Sequence, residues 1–336
     1  MRPDLPLESA EVAVVVPTSG STGVPKGTML TAAAMRAAAA ATHARLGGPG
    51  QWLVAMPVGH IGGLQVLVRA LEARTRPVVL DLYGGFDAHA FMQAARSMRD
   101  DVPRYTSLVP TQVRRLLDAG ADLTSFDGIL VGAAAFPAEL RRRCDERGWP
   151  VVETYGMSEA CGGVVYDGYP LDGVTLDIVD GRIVIGGPVV FSGYRLQPEL
   201  TAQALVGGRH VTHDLGRLDP DGRLHVLGRA DDVIITGGVN VAAAAVERVL
   251  AEHPAVAACA VVGVPDDEWG QRVVAVVQPL RWDALPSLEE LRDFARTRLD
   301  APALPRQLLP IGQLPLTPSG KPDKPAVRTL VAERIG

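Results

Sequence analysis

From a glycine-rich stretch near residue 18 to about residue 160, strand-like and helix-patterned runs alternate along the chain, and this alternation constrains the fold most strongly. "QWLVAM", "PVVLDL", "YTSLV", "GILVGAAA" and "PVVETYG" read as strands. Between them "GLQVLVRALEA", "DAHAFMQAARSM", "PTQVRRLLDAG" and "PAELRRRCDERG" read as helices, the third opened by Pro110. Ahead of these, Thr31 is placed to cap a helix over "AAAMRAAAAATHARL", with Gly47 at its end. Strands separated by helices pair in parallel through crossovers, so an α/β layer with a mostly parallel sheet is expected.

The pattern changes near Val174. "VTLDIVDGRIVIGG" predicts a hairpin turning at Asp180-Gly181, and short strands and turns continue to residue 228. After "GRADDVIITGG" the sequence predicts a helix over 242–252, strands over 255–264 and 271–278, and a helix opened by the capping box Ser287 to Glu290. The expected organisation is a large domain over 1–228 containing a small β subdomain over 174–228, a hinge at 229–232, and a smaller α+β domain over 233–336.

The net charge of −5 argues against a nucleic-acid partner. No apolar run reaches the roughly 18 residues that a membrane span needs, and no charged-then-apolar leader is present. The expectation is a cytoplasmic protein without membrane insertion; a homodimer is left open. Cys144, Cys161 and Cys259 have neither metal-site nor disulfide-framework spacing, so buried reduced thiols are expected. Of 33 basic residues only Lys26, Lys321 and Lys324 are lysines. An ammonium is a compact point charge and a guanidinium a planar fork, so these lysines are candidates for chemistry.

The stretch "TSGSTGVPKG" carries Thr18, Ser19, Gly20, Ser21, Thr22, Gly23 and Lys26 immediately after the apolar run "VAVVVP". It fails the Walker pattern, because Pro25 stands where the second glycine belongs and Gly27 stands where a hydroxyl should follow the lysine. Its glycines still allow backbone N–H groups to approach phosphate oxygens, with hydroxyl donors and one cation added. A plain Gly/Ser turn is the bland alternative, and it does not account for four hydroxyls and a lysine after a buried strand.

This loop resembles the phosphate-binding signature of the adenylate-forming superfamily, which includes acyl-CoA synthetases, peptide-synthetase adenylation domains and luciferases. "TYGMSEA" is similar to the motif in which a tyrosine lies against adenine, a hydroxyl meets the α-phosphate and a glutamate holds Mg²⁺; these roles fall on Tyr155, Ser158 and Glu159, with Thr154 and Gly156 beside them. "THDLGRLDPDGRL" resembles the ribose-binding motif through Asp214, and "LGRADDVIITGG" the hinge motif, with Arg229 at the ribose and Asp231 as pivot. "PLTPSGKPDK" resembles the C-terminal motif whose catalytic lysine would be Lys321. "MPVGHIGGL" resembles the motif that gates the acyl pocket, here through His60. The resemblance also implies nucleotide and acid contacts at Gly132 and Ala133, and acid contacts at Ser107 and Gly156. Taken singly, Glu159 reads as a solvated carboxylate, His60 and His213 as ordinary histidines, and Asp214 as a turn former; their order with the loop gives the family reading. Departures are Thr154 where glycine is common, His213 within the usual "TGD", and Val239 for a frequent glutamate.

The resemblance implies an acid–thiol ligase that uses ATP, Mg²⁺ and CoA and works through an acyl-adenylate, with domain motion about Asp231. Only one strand precedes the loop, and together with "THARLGGPGQWLVAMPVGHIGGLQVLVRA" and "RYTSLVPTQ" this resembles the shortened o-succinylbenzoate–CoA ligases of actinobacterial menaquinone biosynthesis. Such an acid carries a second carboxylate, for which Arg104, Ser107, Thr111 and Arg115 lie in the expected region, although Arg115 reads better as a solvated helix-face residue. The alternatives are another aromatic or aliphatic acid, loading of a carrier-protein thiol, or a non-catalytic nucleotide-binding module.

Overall fold

The computed structural model describes residues 5–19, 25–317 and 322–335; Gly20, Ser21, Thr22, Gly23 and Lys321 lie outside them. The chain divides into two compact units, Met1–Thr212 with Leu218–His225, and His213–Arg217 with Val226–Gly336.

The first unit opens with β1 (Val12–Ser19) and β2 (Pro25–Thr31), which pair antiparallel, followed by α1 (Ala32–Arg45). Thr31 caps α1 by accepting the Ala34 N–H at 3.1 Å. The alternation then runs β3 (Gln51–Val54), α2 (Ile61–Glu72), β4 (Val78–Val79), α3 (Ala88–Arg96), β5 (Arg104–Leu108), α4 (Pro110–Asp118), β6 (Gly128–Val131), α5 (Ala138–Glu146) and β7 (Val151–Met157). These strands form a parallel sheet in the order β4-β3-β5-β6-β7. Its two faces are covered by different helices, as the period of two in a strand requires. Trp52 and Val54 pack with α1 and α2 on one face; Leu53 and Ala55 pack with Phe91, Leu116 and Leu140 of α3, α4 and α5 on the other. Full burial of each such aliphatic or aromatic side chain contributes roughly 1.5–3 kcal/mol.

The sheet is not parallel throughout. β8 (Gly162–Tyr166) and β9 (Tyr169–Pro170) add antiparallel strands beyond β7. The reversal is made by a tight turn over Ser158–Ala160, with Cys161 at φ 56° and Gly162 at φ 103°. β10 (Thr175–Val179) and β11 (Arg182–Gly186) form the expected hairpin, and Asp180 and Gly181 have the paired positive φ of 50° and 76° that a primed two-residue turn needs. The segment after it is not all-β. β12 (Gly193–Tyr194) leaves to pair with β2, and α6 (Pro198–Ala204) follows, with Pro198 in the first helical turn. Gly193, at φ 140°, has room for no Cβ: one there would lie 2.8 Å from the Thr201 methyl of α6. β13 (Leu205–Val206), β14 (Arg209–Leu218) and β15 (Leu224–Arg229) complete this region, and the division between the units runs through β14 and β15.

In the second unit, β16 (Val233–Thr236) and β17 (Val239–Ala242) form a hairpin before α7 (Ala243–Leu250), β18 (Val256–Asp266) and β19 (Gly270–Pro279). α8 (Leu288–Arg296) begins at the expected capping box, Ser287 Oγ accepting the Glu290 N–H at 3.2 Å and the Glu290 carboxylate accepting the Ser287 N–H at 2.7 Å. β20 (Gln307–Pro310) joins β19 in parallel, and α9 (Lys324–Ile335) covers β18. Lys324, expected to be available for chemistry, is instead structural. Its ammonium pairs with the Glu247 carboxylate and donates to the Val261 carbonyl at 2.8 Å, while Glu247 accepts the Val261 N–H at 2.6 Å. Cys144, Cys161 and Cys259 are buried, and burial pushes their thiols up to about 11, 12 and 12. No helix among the described residues is long and apolar enough to cross a membrane.

Candidate functional site

The glycine-rich segment joins two strands of a hairpin, with Ser19 opposite Pro25 and Thr18 opposite Lys26. Thr18 Oγ1 donates to the Lys26 carbonyl at 3.5 Å. Lys26 therefore lies on a strand. In a Walker loop the lysine opens a helix whose N-terminus meets the phosphate, so the pairing of β1 with β2 excludes that arrangement on structural grounds. The Lys26 ammonium lies 5.1 Å from the centroid of the Tyr194 ring.

A second group of residues gathers at the C-terminal edge of the parallel sheet, where open α/β sheets place their ligands. Gly132 and Ala133 follow the end of β6 at Val131, and β7 presents Thr154, Tyr155 and Gly156. Gly132 sits so close to β7 that a Cβ there would lie 2.4 Å from Thr154 Oγ1. Thr154, at a position often occupied by glycine, donates its hydroxyl to the Val131 carbonyl at 3.3 Å and so ties β7 to β6. Ala133 is exposed and holds φ 68°, a left-handed conformation that costs a non-glycine residue about 1–2 kcal/mol. At Gly156 a Cβ would fall 1.8 Å from the Gly162 carbonyl, so only glycine allows β7 and β8 to cross there. Ser158 is buried in the turn that follows, and Glu159 is half-buried beside it.

The donor set of Glu159 suits a metal shared with a substrate. One carboxylate oxygen accepts the Tyr194 hydroxyl at 2.8 Å, and among the described residues no hydrogen bond or ion pair is made to the other. Among the described residues no cluster of three His, Cys, Asp or Glu side chains could hold a metal by itself. A single carboxylate with one open oxygen fits Mg²⁺, which keeps waters and shares its coordination with substrate phosphates.

His60 is the residue before α2, with extended φ and ψ of −108° and 152°, and its side chain does not cap the helix. Ser107 is buried on β5. Of the other candidates for a second carboxylate, Arg104 is bound to the Arg99 carbonyl, Arg115 to the Phe86 carbonyl at the surface, and Thr111 is exposed. The cation that the structure does bury is Arg69, on α2, with 3% of its surface exposed. Its guanidinium stacks 5.1 Å from the Trp52 ring centroid and reaches Tyr166 Oη at 3.3 Å and Ser107 Oγ at 3.5 Å. No carboxylate pairs with it among the described residues, and its Nε has no partner. One turn earlier Gln65 is buried, its stem beside Gly162, and neither its amide nitrogen nor its oxygen is hydrogen-bonded among the described residues.

The uncompensated charge is felt nearby. Burial first, then the Arg69 charge, pushes His43 down to about 4. The neutral imidazole accepts the Trp52 indole N–H at 3.3 Å. Buried charges are normally paired, and orphaned buried amides are costly, so this polar lane has hydrogen-bonding capacity to offer a ligand or ordered water. Sequence reasoning passed over it because "LQVLVRALEA" presents Gln65 and Arg69 one helical turn apart, where long polar side chains ordinarily face water. The available signal is that both fall on the stripe of Val66 and Ala70.

In the second unit Arg229 binds both predicted carboxylates, Asp214 at 3.3 Å and Asp231 at 2.9 Å. His213 lies 3.4 Å from Asp231, so the histidine in place of the usual glycine touches the expected pivot. Gly237 and Gly238 turn the β16–β17 hairpin at φ 57° and 77°. Lys321 falls outside the described residues.

Residues 2–195 match the family model of AMP-binding enzymes and residues 245–321 that of the AMP-binding enzyme C-terminal domain. The chain is 46% identical over 325 residues to a probable 2-succinylbenzoate–CoA ligase of Mycobacterium tuberculosis, covering 94% of this chain and 84% of that one. Among solved structures it resembles o-succinylbenzoate CoA synthetase of Bacillus subtilis in complex with the acyl-adenylate intermediate OSB-AMP, with a TM-score of 0.86 and 30% identity over 96% of this chain and 70% of that one. The same synthetase in complex with ATP and a magnesium ion aligns with a TM-score of 0.85 and 29% identity, over 96% and 71% of the two chains.

Proposed function

We propose that this chain, which belongs to the AMP-binding enzyme family, ligates 2-succinylbenzoate to CoA at the expense of ATP, through an acyl-adenylate, as a step of menaquinone synthesis. The observation that carries the substrate reading is buried, unpaired Arg69. A dicarboxylic aromatic acid supplies the missing anion: its ring carboxylate would meet the Arg69 guanidinium and Ser107 hydroxyl, and the orphaned Gln65 amide would meet the polar atoms between ring and reacting end. The planar fork of the guanidinium suits a carboxylate, and the Trp52 ring beneath it holds it in place.

The reacting carboxylate would then point toward the β6–β7 edge, past His60. Its oxygen attacks the α-phosphorus of ATP and pyrophosphate leaves; the CoA thiol next attacks the acyl carbonyl and AMP leaves. Lys26 and the hydroxyls of Thr18, Ser19, Ser21 and Thr22 would hold the departing phosphates, and Ser158 the α-phosphate. Tyr155 would lie against adenine beside Gly132 and Ala133. Mg²⁺, when bound, neutralises charge on the phosphates, and Glu159 would hold it through its open oxygen. Lys321 would stabilise the charge developing at the α-phosphate. We assign the ribose hydroxyls to Asp214 and Arg229. The two half-reactions need different groups at one carbonyl, and motion about Asp231 would supply Lys321 first and the "TGGVN" turn second.

Release of AMP and pyrophosphate across a panel of aromatic and aliphatic acids, with and without CoA, tests this reading. Turnover with 2-succinylbenzoate and CoA is expected. Turnover with another acid but not this one overturns the substrate, and a requirement for a holo carrier protein in place of CoA overturns the acceptor.

A further inference from the structure

We propose that Tyr194 is a positioning residue that couples the phosphate-binding lysine to the metal-holding glutamate. The inference rests on the reading of Glu159 as the Mg²⁺ ligand. The distinguishing feature is that one buried side chain touches both groups. The Tyr194 hydroxyl donates to Glu159 Oε1 at 2.8 Å, and the face of the same ring lies 5.1 Å below the Lys26 ammonium.

The placement follows from strand pairing. Tyr194 stands opposite Thr28 in the pairing of β12 with β2. Lys26 lies two residues from Thr28 on the same strand face, so it is the diagonal neighbour of Tyr194, within reach of an aromatic ring. Three further contacts fix the ring: the Tyr194 N–H donates to Thr201 Oγ1 at 2.8 Å, Phe191 packs on it at 4.9 Å between centroids, and β12 is held close to α6 by Gly193. Phe191 also donates its N–H to the Glu159 carbonyl at 2.9 Å, so the turn carrying Glu159 is joined to this segment through both backbone and side chain. Tyr194 itself is only 5% exposed.

Two consequences follow. The hydrogen bond occupies one carboxylate oxygen, which fixes the rotamer of Glu159 and leaves the other oxygen for the metal. The ring holds Lys26 by a cation–π contact without neutralising it, so the ammonium stays available to phosphate. A carboxylate in the place of Tyr194 would pair with Lys26 and repel Glu159; a phenol serves both.

The test is equilibrium binding of ATP to the full chain, in excess Mg²⁺ and in EDTA, for wild type, Y194F, Y194L and E159Q. The readout is the ratio of the two dissociation constants, which a merely structural role would not move selectively. Y194F keeps the ring and loses the hydroxyl. It is expected to reduce the Mg²⁺ enhancement about tenfold while leaving metal-free ATP binding within about twofold of wild type. Y194L is expected to weaken metal-free ATP binding as well, by about three- to tenfold, because the ring under Lys26 is gone. A Y194F ratio equal to that of wild type overturns the proposal even if Y194L fails to fold. If E159Q loses the enhancement and Y194F keeps it, Tyr194 alone is wrong. If E159Q also keeps it, Glu159 is not the metal ligand and the proposal falls with that reading.

Discussion

Replacing Arg69 by methionine is expected to lower kcat/KM for 2-succinylbenzoate by about two to three orders of magnitude, the size of effect that follows when one member of a buried charge pair is removed. Methionine fills most of the same volume beside Trp52 and Tyr166, and an apolar replacement of a buried charge is tolerated by the fold. The loss should therefore be confined to this acid. The analogue lacking the ring carboxylate, 4-oxo-4-phenylbutanoate, should be used by the variant at least as well as by wild type, because the unpaired cation no longer has to be buried without an anion. The KM for ATP should not change. Measuring kcat/KM for both acids in both proteins settles the matter: an equal loss for the two acids would mean that Arg69 supports the packing of α2 and does not read the second carboxylate.

The second large effect is expected at Lys321. Lys321→Ala should reduce acid-dependent exchange of pyrophosphate into ATP by about two to three orders of magnitude, since one charge aimed at a developing oxyanion is worth roughly 3–4 kcal/mol. The same variant, given preformed 2-succinylbenzoyl adenylate and CoA, should form thioester within about threefold of the wild-type rate. The prediction follows from the division of labour proposed for the second unit, in which this lysine serves the first half-reaction only. Normal exchange by the variant would remove Lys321 from adenylation, and loss of both half-reactions would remove the division of labour.

Much of the fold was legible because local rules and tertiary demands agree. Thr31 caps α1, Asp180-Gly181 turns the β10–β11 hairpin, and Ser287 with Glu290 opens α8, each through a short-range device visible in a few residues. The parallel order of β4 through β7 follows from helices falling between strands. What was not legible depends on contacts distant in sequence. The antiparallel addition of β8 hinges on a left-handed Cys161, a conformation that its residue type does not advertise. β12 is two residues long and makes sense only beside β2, some 165 residues away in the register Tyr194 to Thr28.

The site divides the same way. Glu159, Gly156 and Lys26 stand in contiguous motifs, whereas Arg69, Gln65 and Tyr194 take their meaning from what surrounds them. Arginine and glutamine on a helix read as solvent-facing until packing shows both facing the sheet. The lysine count illustrates the opposite error. It singled out Lys324 together with Lys26, yet Lys324 is absorbed by Glu247 and the Val261 carbonyl. Scarcity of a residue type marks positions where a compact cation is needed, and a buried ion pair needs one as much as a phosphate does.

The central claim is that the acid is activated as a mixed anhydride with AMP. It is tested most directly by supplying 2-succinylbenzoate labelled with oxygen-18 in the succinyl carboxylate, together with ATP, Mg²⁺ and CoA, and weighing the products by mass spectrometry. Attack of that carboxylate on the α-phosphorus, followed by thiol attack on the carbonyl carbon, leaves one labelled oxygen in AMP and none in pyrophosphate. Label in inorganic phosphate with formation of ADP, or unlabelled AMP alongside thioester, would contradict the account.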